Sequence, residues 1–362
     1  MFLLPLIYNI VLVLQVLFFS LVFLYASWKH RSNHPYSWSS SLATGLLSFY
    51  IAIHVFASRL IPYPYIGFMS WWSIACFTLA IIHALRVKRK EGHEVQPANS
   101  RRNGKQVQNG KQEDTLDGLE SHHEWIRKAF HLAGFLVILA FYVVGPLIAP
   151  LVDKAIEIAG DSYKTLWGPV EYIVEFENAR EAGIYLTLFA LIATVIFVSC
   201  VDIPRVLFGE QYSLISLIEA RAGKILREKE IGVPGPETFI AIGATSAWII
   251  GIAFQPLEST SVEMAIAGIM MSTVADGMAA IIGKTYGKHE IKRPHGQLKT
   301  VEGLIAGLVT AFVVSVFFAG WFLALFGAAI FMVIDYLSPP IADNVINAPL
   351  LTFLLCGMKA LL

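Results

Sequence analysis

Long apolar runs separated by short polar stretches dominate the chain. Those at 3–27, 40–61, 65–86, 129–152, 183–203, 236–255 and 262–283 are each long enough for a membrane-crossing helix, which needs about 20 mostly apolar residues. The run from 303 to 337 is too long for one crossing. Gly320-Trp321 in its middle predicts a tight turn between two crossings, and Pro339-Pro340 closes the second. A last apolar run fills 349–362. The pattern predicts an all-α fold, a polytopic transmembrane helical bundle of about nine or ten helices.

Composition narrows the class. Of 362 residues, 56% are hydrophobic and only 15% charged, with a mean hydropathy of +0.62, which excludes an ordinary soluble globule. The formal net charge is zero, so no nucleic acid partner is implied. Cys76, Cys200 and Cys356 sit inside apolar runs without metal-ligand spacing and read as core packing. The first run has no basic residue before it, and Ala26-Ser27-Trp28 is a poor cleavage site, so it reads as a retained helix rather than a signal peptide.

Orientation follows from where Lys and Arg collect in short loops. Segment 86–128 holds Arg86, Lys88, Arg89, Lys90, Arg101, Arg102, Lys105, Lys111, Arg127 and Lys128, and is placed in the cytoplasm. Alternation then puts loops 204–235 and 284–302 inside, and both are rich in Lys and Arg. Loop 256–261, without either, and the acidic loop 153–182 fall outside. Residues 91–121 are polar and poor in apolar side chains, as expected of a flexible linker. Three regions result: an N-terminal three-helix region at 1–90, the linker at 91–121, and a C-terminal region at 122–362 holding every polar cluster.

Within that last region Glu124, Arg127 or Lys128, and His131 fall on one face of a helix. They read either as a converging ligand site or as interfacial basic residues beside a core histidine. His122-His123 complete no tetrahedral set. Residues 213–230 have the pattern of an amphipathic helix, suited to the inner leaflet; their Arg227 and Glu230 alternatively bring charge to the mouth of the next helix. Asp276 lies in an apolar span and is followed by Gly277, Ala279, Ala280 and Gly283. Small residues at helical spacing serve close helix packing or a phosphate. A carboxylate in the bilayer is costly enough to point to a ligand or cation, with magnesium the leading candidate.

The following loop carries Lys284, Lys288, Lys292, Arg293, His289 and His295, then Lys299-Thr300-Val301-Glu302-Gly303 opening a helix. Free N–H groups at a helix start, with a lysine beside them, favour an anion. Glu302 reads as a second metal ligand, a ribose partner or a first-turn acid. No Walker-type sequence is present. Asp335, Asp343 and Asn344 return to the same side, where a Pro-Asp-Asn turn is the plainer reading.

From Glu124 to Pro349 these pieces resemble the dolichol kinase and phytol kinase family, which is related to phosphatidate cytidylyltransferases. The resemblance rests on Glu124, Arg127, Lys128 and His131; Arg227 and Glu230; Asp276, Ala279 and Gly283; Lys299, Thr300, Glu302 and Gly303; and Asp343, Asn344 and Pro349, in that order. Ala275 and Lys284 stand where the family usually has glycine and arginine.

The resemblance implies transfer of the γ-phosphate of CTP, with Mg2+, to the hydroxyl of an isoprenoid alcohol, in cytoplasmic loops that form the active site. Asp276 and Glu302 would be metal or catalytic carboxylates and Lys299 catalytic. Lys128, Arg127, His131, Arg227, Glu230, Gly283, Lys284, Lys288, Lys292, Thr300, Gly303, Asp343 and Asn344 would surround the nucleotide. CTP, the isoprenoid alcohol and membrane lipids are the implied partners, in a prokaryotic cell membrane or the endoplasmic reticulum. Two rivals stand: a CTP:phosphatidate-type cytidylyltransferase, whose closing motif fails at Gln297-Leu298-Lys299, and a lipid transporter or flippase.

Overall fold

The computed structural model describes residues 3–31, 35–58, 65–93, 133–167, 176–212, 232–294 and 298–362. Its helices are α1 (Leu3–Lys29), α2 (Pro35–Ser58), α3 (Tyr65–His93), α4 (Ala133–Leu139), α5 (Gly145–Trp167), α6 (Ala179–Phe208), α7 (Pro236–Phe254), α8 (Ser261–Met270), α9 (Asp276–Tyr286), α10 (Val301–Leu337) and α11 (Asp343–Leu361). A π-helical turn at Ala140–Val144 joins α4 to α5, and another at Met271–Ala275 joins α8 to α9. Eight of these continuous segments are long and apolar enough to cross a membrane. The molecule is an all-α, multi-pass helical bundle.

α10 is a hairpin. Gly320 takes φ 75 and ψ 163, a conformation that only glycine adopts readily. A Cβ on Gly307 would meet the Phe331 ring at 3.2 Å, whereas 24 residues of unbroken helix would separate the two by about 36 Å. The chain therefore reverses at Gly320, as the sequence led us to expect. The two limbs of the hairpin and the serine-rich α2 bring the long helical segments among the described residues to ten, eight of the continuous helices being apolar enough to cross a membrane.

Local chemistry sets the helix ends. Asn178 caps α6 by accepting from Glu181 N at 3.0 Å, and Pro236 occupies the first turn of α7. Ser338, with φ 42, ends α10 just before Pro339-Pro340. Where sequence placed the final helix at 349–362, it starts earlier, at Asp343.

The two ends of the bundle are tied separately. At one end, Ala342 N donates to Ser40 Oγ at 2.9 Å, Ser39 Oγ donates to Pro340 O, and Gly232 packs against the His30 ring. At the other, Arg180 makes a two-pronged ion pair with Glu263 at 2.7 Å, and Ser261 Oγ donates to Gly251 O at 2.7 Å. Arg205, the described residues 232–235, and Arg293 and Lys299 of the β-hairpin lie toward this same end with the turn at 338–342. The three cysteines are free and buried.

Candidate functional site

The first end is where the charges gather. After α9, strands β1 (Glu290–Lys292) and β2 (Leu298–Thr300) pair antiparallel, with Ile291 opposite Lys299. Alternation along a strand sends Lys299 and Arg293 to one face, where both are nearly buried, and leaves Lys292 and Leu298 exposed on the other. On the buried face Lys299 Nζ pairs with Asp335 Oδ2, and Arg293 Nη2 donates to Asp335 Oδ1 at 3.1 Å. Arg293 Nη1 donates to Ser338 Oγ at 2.8 Å. The hairpin is thus clamped onto the end of α10's second limb.

Asp335 lies close enough to feel the charges of Lys299, Asp276 and Arg293, and Asp343 those of Asp276, Asp335, Arg293 and Lys299. Among the described residues this group brings together three carboxylates and two cations. Three separate segments build it. Asp276 leaves the π turn Met271–Ala275, a local widening found often at functional sites. Asp343 opens α11 immediately after the turn that Ser39 and Ser40 hold. Beside it, the Asn344 Oδ1 is buried without a hydrogen-bond partner among the described residues, an acceptor that a donor or a cation would satisfy.

The residues singled out in the sequence divide into groups. Lys299, Asp276, Asp343 and Asn344 come together. Glu302 does not join Asp276 as a metal pair. A Cβ on Gly303 would lie 3.0 Å from Gly283 Cα and 2.8 Å from Ala279 O, so α9 and the first limb of α10 run antiparallel with Gly303 level with the second half of α9. Asp276, at the start of α9, is therefore offset from Glu302 by about 10 Å of helix rise. Glu302 moreover turns the opposite way: Oε1 binds His289 Nδ1 at 2.6 Å, and Oε2 accepts from His289 N at 3.3 Å.

Gly283 and Gly303 give close helix contact. Thr300 caps α10, its hydroxyl accepting from Gly303 N at 3.2 Å. Lys284, Lys288 and Lys292 are exposed around the mouth. Glu124, Arg127, Lys128, His131, Arg227, Glu230 and His295, with the linker 91–121 and the amphipathic stretch 213–230, lie outside the described residues.

Two features escaped the sequence reading. Arg293 appeared there only as one more loop cation. Asp202, inside an apolar run, was passed over, yet with Arg205 it makes a fully buried network. Arg205 Nε and Nη2 donate to Asp202 Oδ1 at 2.9 and 2.7 Å, while Asp202 Oδ2 accepts from Gly235 N and Thr238 Oγ1, each at 2.6 Å. The i, i+3 spacing of an acid and an arginine at a helix end was the available signal.

Among the described residues no three His, Cys, Asp or Glu side chains are close enough to hold a metal ion by themselves. The donors present fit magnesium in its usual mode, one or two carboxylates completed by water and substrate phosphates. No family model, curated protein or solved structure matches this chain.

Proposed function

We propose that the protein is a CTP-dependent lipid-alcohol kinase, working at the charged end of the bundle on the cytoplasmic side of its membrane. One observation carries the reading: three carboxylates and two cations meet at one end of a bundle of long, predominantly apolar helices, and such charges in a membrane protein mark a site. The nucleotide and the isoprenoid acceptor come from the family resemblance.

Phosphoryl transfer needs little covalent help from a protein; it needs in-line positioning and neutralised charge. Asp276 and Asp343 would hold Mg2+, replacing the Asp276 and Glu302 pair expected from sequence. When bound, the ion neutralises charge on the phosphate oxygens. Lys284, Lys288 and Lys292, lying exposed at the mouth, draw in the triphosphate. Lys299 and Arg293, held by Asp335, keep the β-hairpin over the reacting groups. The bond between the γ-phosphorus and its bridging oxygen breaks, a new one forms to the lipid hydroxyl oxygen, the hydroxyl proton passes to a carboxylate, and CDP departs.

The test uses purified protein in lipid nanodiscs with magnesium, a polyprenol and CTP labelled at the α- or the γ-phosphate. Label entering the lipid only from the γ position, and falling with Asp276→Asn, is the expected result. Label from the α position alone would make the protein a cytidylyltransferase. No label from either would remove the kinase reading and favour transport.

A further inference from the structure

Glu302 engages one residue with both carboxylate oxygens: Oε1 binds His289 Nδ1 at 2.6 Å and Oε2 accepts from His289 N at 3.3 Å. The backbone of His289 is held as well, because Val301 N donates to His289 O at 2.9 Å and so extends the ladder of β1 and β2 by one rung. Just before it Gly287 packs against Gly283 O and the Thr300 side chain with no room for a Cβ, which fixes where the chain enters the strand. His289 therefore lies two residues along β1 from the Ile291–Lys299 pair, about 7 Å of strand rise.

Stability does not account for this grip. The His289 side chain is 78% exposed and that of Glu302 26% exposed, and ion pairs so open to water contribute little to folding. What the arrangement fixes is the ring. A carboxylate only accepts, so Nδ1 carries a proton and points inward, and Nε2 is left as the nitrogen turned to solvent. The exposed charges of 284–292 around it are Lys284, Lys288 and Lys292 against the single acid Glu290, a surface that attracts an anion.

We propose that His289 is a phosphate contact for the nucleotide, and that Glu302 is a positioning residue acting through it. The inference rests on the kinase reading above, and it gives Glu302 a role other than the metal ligation that the family resemblance implies. As imidazolium the ring donates from Nε2 to a phosphate oxygen, a charge-assisted hydrogen bond. No covalent bond is made or broken at the ring.

The first test needs no turnover. Diethyl pyrocarbonate, which modifies exposed imidazoles, is applied to the protein in nanodiscs with magnesium, with and without inorganic triphosphate, and modification of His289 is followed by mass spectrometry. Triphosphate is expected to slow it at least fivefold; equal rates would overturn the contact. In kinetics, His289→Ala should raise KM for CTP about tenfold, the size of losing one hydrogen bond to a charged group, with kcat within about twofold. Glu302→Gln keeps an oxygen that accepts from Nδ1–H and should stay near the parent protein, whereas Glu302→Ala should match His289→Ala. If Glu302→Gln and Glu302→Ala both weaken the magnesium dependence and His289→Ala leaves it intact, Glu302 is a metal ligand and the positioning role falls.

The kinase reading fails separately. If triphosphate protects His289 but no γ-phosphate reaches any alcohol, the contact stands and the reaction does not. If transfer proceeds in His289→Ala with KM for CTP unchanged, the reaction stands and the contact falls.

Discussion

Two buried groups of charges lie toward the same end of the bundle, and they differ in one respect. Around Asp202 every charge is matched: one acid, one arginine, and four hydrogen bonds to Asp202, with both residues at 1% exposure or less. Arg205 adds a bond to Val233 O at 2.6 Å. Around Asp335 the same kind of pairing is present, and Asp276 and Asp343 add two further carboxylates to it. The closed group fastens the loop before α7 to the end of α6. The open group gathers acids from three separate segments and adjoins Asn344, whose Oδ1 has no hydrogen-bond partner among the described residues. A buried ion pair alone is weak evidence of either role; the added carboxylates and the unbonded amide oxygen separate them.

Substitutions can break this contrast, beginning with the largest effect. Asp202→Ala strands Arg205 in an apolar interior and should cost about 3–5 kcal/mol, read as lost thermal stability in detergent, with activity falling only as folded protein is lost. Asp276→Asn should do the reverse: γ-phosphate transfer drops by about 10²–10³-fold, the size of losing one charge-stabilising group, while the melting temperature holds. If Asp276→Asn unfolds the protein as Asp202→Ala does, the open group is structural and the contrast collapses.

Asp335→Asn comes next. It weakens two charged hydrogen bonds, each class worth about 1.5–3 kcal/mol, and frees the β-hairpin, so limited proteolysis between 287 and 300 should quicken before the helices melt. The smallest effect belongs to Ser40→Ala. Removing the hydroxyl that Ala342 N reaches costs about 1 kcal/mol but loosens the turn that presents Asp343. The expected signature is weaker magnesium dependence of transfer with nearly unchanged stability. It would show that the N-terminal helices, which lie outside the family resemblance, brace the site; unchanged magnesium dependence would reduce Ser40 to packing.

Much of the fold was legible because the bilayer imposes a length on each apolar run and charge asymmetry sets alternation. Gly320-Trp321 shows how far this goes: a run twice the needed length with a glycine at its centre has one economical solution, and φ 75 at Gly320 is that solution. The site was legible by residue type and not by partner. Asp276 stood out because an acid in an apolar run is rare. Its neighbours did not, since Asp335 and Asp343 lie 59 and 67 positions further on and no periodicity spans such a distance. The partner of Glu302 was not legible either: its carboxylate binds His289, and position in the chain says nothing of which way a side chain leaves its helix.

The all-α class, the succession of long apolar helices and the hairpin in α10 were therefore determined by sequence alone, since each depends on local hydrophobicity. Tertiary structure alone decided which acid meets which base and that Gly283 and Gly303 pack against each other. Those outcomes depend on how helices are rotated against one another, and a rotation of a third of a turn changes every partner while leaving the apolar pattern along the chain the same.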